Sequence, residues 1–232
     1  MWTIKEVKSR GKAAFKANYL NSVIAGILAV LFAGTAVAGG GRSASSAASA
    51  GESLLSEMTV DQLMIVAAAV VGAMTVAYAI SLVLKIFIYN PIKVGCASFF
   101  KKNVENPGQK LDVILEGFSD YGRVFITLFL KDLFIFFWSL LFVIPGLVKS
   151  YSYRMVPYIL KDEPELSATE VITRSRQMMN GNKGKAFLFD LSFIGWIILS
   201  AITLDIVGIL WTTPYMENAN AALYLELKNN RG

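Results

Sequence analysis

Two long stretches without charge constrain this chain more than any other feature. Residues 17–41 contain no charged side chain over 25 positions, and residues 62–84 contain none over 23. An apolar stretch of about 18 residues or more is long enough to cross the hydrocarbon core of a bilayer as a helix. Only 17% of the 232 residues are charged, whereas soluble domains carry about 25%. The sequence therefore predicts a membrane protein.

The chemistry open to this chain is limited by its histidine and cysteine content. The sequence contains no histidine, and Cys96 is its only cysteine. These absences exclude an intrachain disulfide, a cysteine zinc or iron–sulfur site and histidine-based catalytic triads. We therefore expect no metal, no cofactor and no catalytic residue. The basic residues behind the net charge of +5 flank apolar stretches, where they set membrane orientation, so no nucleic-acid partner is predicted.

The apolar segments predict an all-α polytopic membrane helical bundle that forms a single membrane domain over residues 1–232. Small residues repeat every four positions in the first two segments, a pattern typical of closely packed helices in lipid. They are Ala25, Ala29 and Ala33 in the first, and Ala69, Ala73, Ala77 and Ser81 in the second. We expect about six transmembrane helices, at about residues 19–38, 62–88, 124–144, 147–160, 186–203 and 206–225.

The segments between the spans have distinct characters. Residues 1–18 predict a basic amphipathic helix that lies on the membrane surface, although a basic flank that only orients the first span is an equal alternative. Residues 39–61 are small and polar and predict a flexible extracellular loop. Residues 92–123 and 161–185 predict short cytoplasmic helices; Asn90-Pro91 ends the second span, and Ser167 with Glu170 forms a capping box.

The distribution of basic residues predicts the orientation of the spans. Lysine and arginine accumulate in the short cytoplasmic loops of membrane proteins. Seventeen of the 22 basic residues fall on one side of the predicted map, and only Arg42 and Lys149 fall on the other. This asymmetry places both termini and residues 161–185 in the cytoplasm. It also favours two crossings of residues 124–160, with Pro145-Gly146 as the outer turn, over a single crossing.

Polar side chains inside the predicted spans are the candidate functional residues. An ionisable side chain at mid-bilayer costs roughly 2.5–3.5 kcal/mol, so it normally faces a partner or a water-filled cavity. From a rise of about 1.5 Å per residue, Asp132, Arg154 and Asp190 lie about 9–14 Å from the same membrane face. We expect Arg154 to pair with Asp132, Asp190 or both. The candidate ligand-binding or polar cluster comprises Lys131, Asp132, Tyr153, Arg154, Asp190, Glu217 and Asn218.

Two alternatives stay open for these residues. The charged ones can form ion pairs that only fix the register of the helices. Aromatic residues near the end of a span, such as Tyr153, are usually interfacial anchors.

The second half of the chain carries a set of linked motifs. They are Ile144-Pro145-Gly146, Ser150–Tyr153, Ser175-Arg176-x-Met178-Met179-x-Gly181 and Asp190–Trp196. These motifs resemble the bacterial integral-membrane family catalogued as domain of unknown function 975, which is typical of Gram-positive bacteria. The resemblance covers nearly the whole chain and is strongest from Leu141 to Leu227. It implies a multi-pass protein of the bacterial plasma membrane, and it brings no established activity.

Residues and resemblance together predict an integral membrane protein without enzymatic activity. The expected role is accessory, homeostatic or amphiphile-binding, with membrane lipids and other membrane proteins as partners. A transporter or channel for a small solute or lipid is the first alternative, and it would require a continuous hydrated cavity. A lipid-directed membrane enzyme is the second, and it would require an activated nucleophile or a metal site, for which the sequence offers no pattern.

Overall fold

The computed structural model describes residues 2–32 and 59–229. These residues are almost entirely helical and contain no β-strand, which confirms the all-α class. A 3₁₀ helix (Leu111–Phe118) and two π-helical segments (Lys85–Tyr89 and Gly208–Thr212) interrupt the α-helices. The α-helices are α1 (Ile4–Ala17), α2 (Tyr19–Phe32), α3 (Val60–Leu84), α4 (Asn90–Glu105), α5 (Tyr121–Leu141), α6 (Val143–Ser152), α7 (Val156–Asp162), α8 (Ala168–Met178), α9 (Lys183–Leu191), α10 (Ile194–Ile202) and α11 (Thr213–Asn229).

Within residues 2–32 and 59–229, three helical stretches are long and apolar enough to cross a membrane. They are Val60–Ser81, Tyr121–Leu141 and Lys183–Ile202, the last of which joins α9 to α10. The helices α1 and α2 pass the same test together, but they meet at a bend of 108° and would make a fourth span only as a broken one. The fold is therefore a helical protein with three or four candidate spans, and the six predicted from the sequence are not confirmed.

The apolar face of α1 packs against other helices of the protein. Val7, Ala14 and Phe15 on this face are almost completely buried, largely against α11. The two backbones approach so closely that a Cβ added at Gly11 would lie 2.5 Å from the Cα of Ala219. This face is thus covered by α11, and the position of α1 on the membrane surface stays a prediction. Its partner comes from the far end of the chain, and such a contact leaves no local signal in the sequence.

Residues 60–105 form one helical run made of α3, a π-helical segment and α4. Asn90-Pro91, which the sequence predicted to end the second span, begins α4 instead. Proline is tolerated there because the first turn of a helix has no use for its missing N–H. The small-residue stripe of α3, which was predicted to pack closely against another helix, is exposed along its length. Residues 33–58, with most of the predicted extracellular loop, lie outside the described residues.

The helices α5 and α6 form a tight hairpin. The chain reverses at Phe142, whose backbone is extended, and Gly146 lies against Ser139 of α5. The turn predicted at Pro145-Gly146 therefore comes a few residues earlier. Pro145 sits in the first turn of α6, where it fits the helix, and Gly146 allows the close approach of the two helices.

The 3₁₀ helix Leu111–Phe118 packs back against α4 with the two backbones in close contact. A Cβ added at Gly95 would lie 1.9 Å from the carbonyl oxygen of Ile114, and one added at Gly117 would lie 1.9 Å from the carbonyl oxygen of Pro91. Both neighbours are backbone atoms, so a side-chain movement cannot make room. Glycine at these two positions is what permits the 3₁₀ helix to lie on α4.

The helix α8 begins and ends at the residues that the sequence indicates. Ser167 and Glu170 form the reciprocal capping box, in which the Ser167 N–H donates to the Glu170 carboxylate at 2.8 Å. Gly181, with a φ of 75°, follows the end of the helix in the left-handed conformation that glycine adopts without strain. The capping prediction is confirmed.

Asp162 at the end of α7 connects three helices. Its carboxylate accepts hydrogen bonds from Lys101 of α4 and from Tyr224 and Lys228 of α11. Burial on its own raises the pKa of the Asp162 carboxyl, but these three donors outweigh burial and lower the pKa to about 2. Asp162 is therefore ionised at neutral pH and holds α4, α7 and α11 together.

Candidate functional site

A cavity of about 490 Å³ lies between α2, α4, α5, α6, α7 and α11. Ligand pockets in proteins commonly have volumes of about 300–1,000 Å³, so this cavity is large enough for a lipid headgroup or a small solute. Its charged and amide side chains are Lys93, Lys131, Asp132, Arg154, Glu217 and Asn220. Its hydroxyl groups come from Ser150, Tyr153 and Tyr158.

Arg154 links the turn between α6 and α7 to α9 and α11. Its guanidinium donates to both carboxylate oxygens of Asp190, at 2.8 and 2.6 Å, and to Oδ1 of Asn220 at 2.6 Å. The Tyr151 hydroxyl donates to the same carboxylate at 2.8 Å. The rings of Tyr151 and Phe189 each have their centroid 5.7 Å from the guanidinium carbon. Arg154 thus pairs with Asp190, one of its two predicted partners.

Asp132 has a partner within its own helix. The Lys131 Nζ atom lies 3.0 Å from a carboxylate oxygen of Asp132. Lys131 is only 8% exposed, so this ion pair stabilises a charge that would otherwise be costly in an apolar environment. The estimate of membrane depth from the sequence did not predict the Lys131–Asp132 ion pair, because adjacent residues point about 100° apart on a helix. The length of the lysine side chain bridges that angle.

Glu217 occupies the α11 wall of the cavity. It lies near Arg154 and Lys93, and its carboxylate forms a hydrogen bond with the side chain of Asn220. Asn220 is three residues further along α11, so the two side chains share one face of the helix. Through Asn220, Glu217 is connected to the Arg154–Asp190 pair.

Three of the charged side chains that line the cavity lie close in sequence to a proline. Pro91, Pro157 and Pro214 each occupy the second residue of a helix, namely α4, α7 and α11. A proline cannot continue the hydrogen bonding of the preceding helix, so the chain breaks or widens just before each one. The charged residues lie within three positions of these prolines: Lys93 after Pro91, Arg154 before Pro157 and Glu217 after Pro214. The local sequence therefore places a helix irregularity and a charge at the same three points.

Asn218 does not line the cavity. It is completely buried on a different face of α11, where its Nδ2 atom donates to the carbonyl oxygen of Pro214 at 2.8 Å and to Ser22 Oγ at 3.3 Å. Its Oδ1 atom accepts from Asn103 at 2.9 Å. These bonds join α2, α4 and α11, and they use the hydrogen-bonding capacity of the amide within the protein.

The structure thus brings most of the predicted cluster together. Five of its members line the cavity, namely Lys131, Asp132, Tyr153, Arg154 and Glu217. Asp190 joins it through Arg154. The sequence argument did not include Lys93, which it assigned to a cytoplasmic segment, or the amide of Asn220. Asn220 could have been predicted from its position three residues after Glu217, because residues three apart share one face of a helix.

The comparisons with known proteins found a match for one part of the chain. The family model described as Protein of unknown function (DUF975) matches residues 140–231, a range that includes Arg154, Asp190 and Glu217. No curated protein and no solved structure matches the chain. Within the described ranges, no three His, Cys, Asp or Glu side chains lie close enough to hold a metal ion. The resemblance predicted from the motifs is therefore confirmed as a match to this family model over residues 140–231.

Proposed function

We propose that this protein is an integral membrane protein without enzymatic activity that binds the polar end of a lipid or another amphiphile. The cavity carries the proposal, because it gathers Lys131, Arg154 and Glu217 around one space in a chain whose described part has three helical stretches apolar enough to cross a membrane. Ionisable groups are retained in such surroundings where they face a partner or a polar cavity. Hydroxyls of Tyr153 and Tyr158 add donors for a ligand oxygen.

The outer faces of the neighbouring helices suit the apolar part of such a ligand. Phe136 and Phe137 on α5 and Ile197 and Ile198 on α10 are about half exposed. Exposed apolar surface of this extent marks a membrane or ligand contact. A ligand with its polar group in the cavity can therefore lay its hydrocarbon along helices that already face an apolar medium.

The proposed setting is the bacterial plasma membrane, crossed about six times with both termini in the cytoplasm. Beyond the three or four candidate spans, the additional crossings would be α6 with α7, and the π-helical segment Gly208–Thr212 with α11. The hairpin between α5 and α6 supports a return of the chain at Phe142. The basic residues of 161–185 support a cytoplasmic position for α8.

Cysteine labelling tests this orientation. We expect Glu165→Cys, at an exposed position just before α8, to resist a membrane-impermeant thiol reagent in intact cells and to react after permeabilisation. The native Cys96 is replaced by serine as background, and Ala50→Cys in the predicted extracellular loop is the control that reacts in both conditions. Reaction at position 165 in intact cells would leave residues 124–160 with a single crossing.

Native mass spectrometry tests the cavity as a binding site. The protein extracted with its membrane lipids is expected to retain an amphiphile adduct. Ala97→Phe, which places a ring in the cavity, should remove at least about nine-tenths of the adduct, since it fills the space without changing a charge. Ala29→Leu fills the same cavity from α2 and should act in the same direction.

The matched control is Ala77→Phe, the same substitution on the exposed surface of α3. It should leave the adduct unchanged. The proposal is overturned if the three variant proteins unfold at the wild-type temperature and retain equal amounts of adduct. The bound lipid would then lie on the outer surface of the protein. The three variants are Ala97→Phe, Ala29→Leu and Ala77→Phe.

Transport is the second candidate function, and the interrupted helices around the cavity favour it. The chain breaks at residues 153–155 between α6 and α7, and π-helical segments precede α4 and α11. Transporter sites are commonly built from discontinuous helices at membrane depth. In liposomes, a transporter would move the ligand from one leaflet or compartment to the other, whereas a binding protein would retain it on one side.

A further inference from the structure

The charges around the cavity are balanced, and this balance limits what the cavity can accept. Lys93, Lys131 and Arg154 contribute three formal positive charges, while Asp132 and Glu217 in the lining and Asp190 bound to Arg154 contribute three negative charges. A ligand with a net charge would leave one charge without compensation beside Lys131 and Arg154, whose side chains are only 10% and 17% exposed. Such a charge is strongly unfavourable. A ligand of zero net charge leaves the charges of the site balanced.

The same lining favours a ligand that carries two opposite charges over one that carries none. Asp132 is held by Lys131, and Asp190 by Arg154, so Glu217 is the remaining carboxylate of the site. Lys93 lies near Glu217 and is exposed. A neighbouring ammonium and carboxylate are complementary to a ligand dipole of the opposite direction, because each end of the ligand meets a charge of the other sign.

We propose that the cavity selects a zwitterionic group of zero net charge, in which a short linker joins an ammonium to a phosphate or carboxylate. The ammonium binds at Glu217 and the anionic group at Lys93, while Tyr153 and Tyr158 donate hydrogen bonds to the anionic oxygens. This inference rests on the proposed function and adds the class of ligand to it. A zwitterionic lipid headgroup and a free zwitterionic solute share this chemistry, and the experiment separates them.

The test is a competition measured by native mass spectrometry on the purified, delipidated protein. Phosphatidylethanolamine and phosphatidylglycerol with identical acyl chains are added in equal amounts, so only the headgroup differs. We expect the zwitterionic lipid to be bound at least about tenfold more than the anionic one. Soluble glycerophosphoethanolamine, whose phosphodiester and ammonium give zero net charge, is then added: displacement of the lipid at comparable concentration identifies a free solute as the ligand, and its failure identifies the lipid headgroup.

Two variants test the assignment of the charges. Glu217→Gln leaves the site with an extra positive charge and should shift the preference to phosphatidylglycerol. Lys93→Gln changes an exposed side chain with little risk to folding, and it should weaken binding of both phospholipids, because each presents a phosphate to this lysine. Glu226→Gln, a matched change on α11 in the surface pair with Arg10, should leave the wild-type ratio unaltered.

The outcomes separate this inference from the proposed function. A wild-type protein that binds both lipids equally, or prefers the anionic one, overturns the inference and leaves amphiphile binding in place. An unchanged ratio in a folded Glu217→Gln protein, with unchanged binding in Lys93→Gln, overturns it as well. A protein that binds none of these lipids and keeps none of its native ones overturns the proposed function itself.

Discussion

Replacing Arg154 by leucine is expected to lower the free energy of unfolding by about 3 kcal/mol, because it leaves the Asp190 carboxylate and the Asn220 amide without their shared donor. We place the effect at the lower end for a buried pair, since the side chain of Asp190 is 31% exposed. The loss is measured as a change in unfolding free energy in detergent micelles. The Arg154→Leu, Asp190→Leu double variant should regain a large part of it, because neither charge is then left alone.

The surface pair Arg10–Glu226 provides the control. It has a similar N–O distance of 2.8 Å, but the Arg10 side chain is 36% exposed. Arg10→Leu should therefore cost less than about 1 kcal/mol. Equal losses for the two leucine variants, with no recovery in the double variant, would mean that water screens the Arg154–Asp190 pair and that it adds little to stability.

Gly117→Ala is expected to cost about 3 kcal/mol or more, the other large effect in this protein. The added methyl carbon would lie 1.9 Å from the carbonyl oxygen of Pro91, so the 3₁₀ helix must move away from α4. Because Pro91 is the second residue of α4 and lies two residues before Lys93, the movement should also weaken ligand binding at the cavity. Thermal unfolding measures the loss of stability, and native mass spectrometry of the lipid adduct measures the loss of ligand binding.

Gly122→Ala is the matched control for this substitution. Gly122 lies in the first turn of α5, where an added Cβ meets nothing within 4 Å. Alanine there should leave stability unchanged or raise it by up to about 1 kcal/mol, since alanine favours a helix over glycine. A Gly117→Ala protein as stable as the Gly122→Ala protein would show that the 3₁₀ helix is free to separate from α4.

Features set by a few adjacent residues could be predicted from the sequence. The capping box at Ser167 depends only on Glu170, three residues away, and both members are visible in the chain. The all-α class follows from the long apolar stretches. Pairing of Arg154 with Asp190 was foreseen because depth in a membrane is a single coordinate, which helix length and rise are enough to estimate.

Features set by contacts between distant segments could not be predicted in the same way. Lys93 lines the cavity because α4 continues from α3 without reversing, whereas Asn90-Pro91 reads as the end of a helix. The small residues of α3 have the spacing of a packing interface, but spacing alone does not supply a second helix. Asn218 was predicted to belong to the polar cluster, and only its hydrogen bonds with Asn103 and Ser22 show that it lies elsewhere.

The contact between α1 and α11 has a consequence for the order in which the protein assembles. Helix α11 follows all the other described helices in the chain, so during synthesis the face of α1 that contains Val7 and Phe15 lacks this partner until α11 has been made. Any packing among the intervening helices before that point takes place while α11 does not yet cover this apolar face. The contact between α1 and α11 therefore forms late in the assembly of the fold.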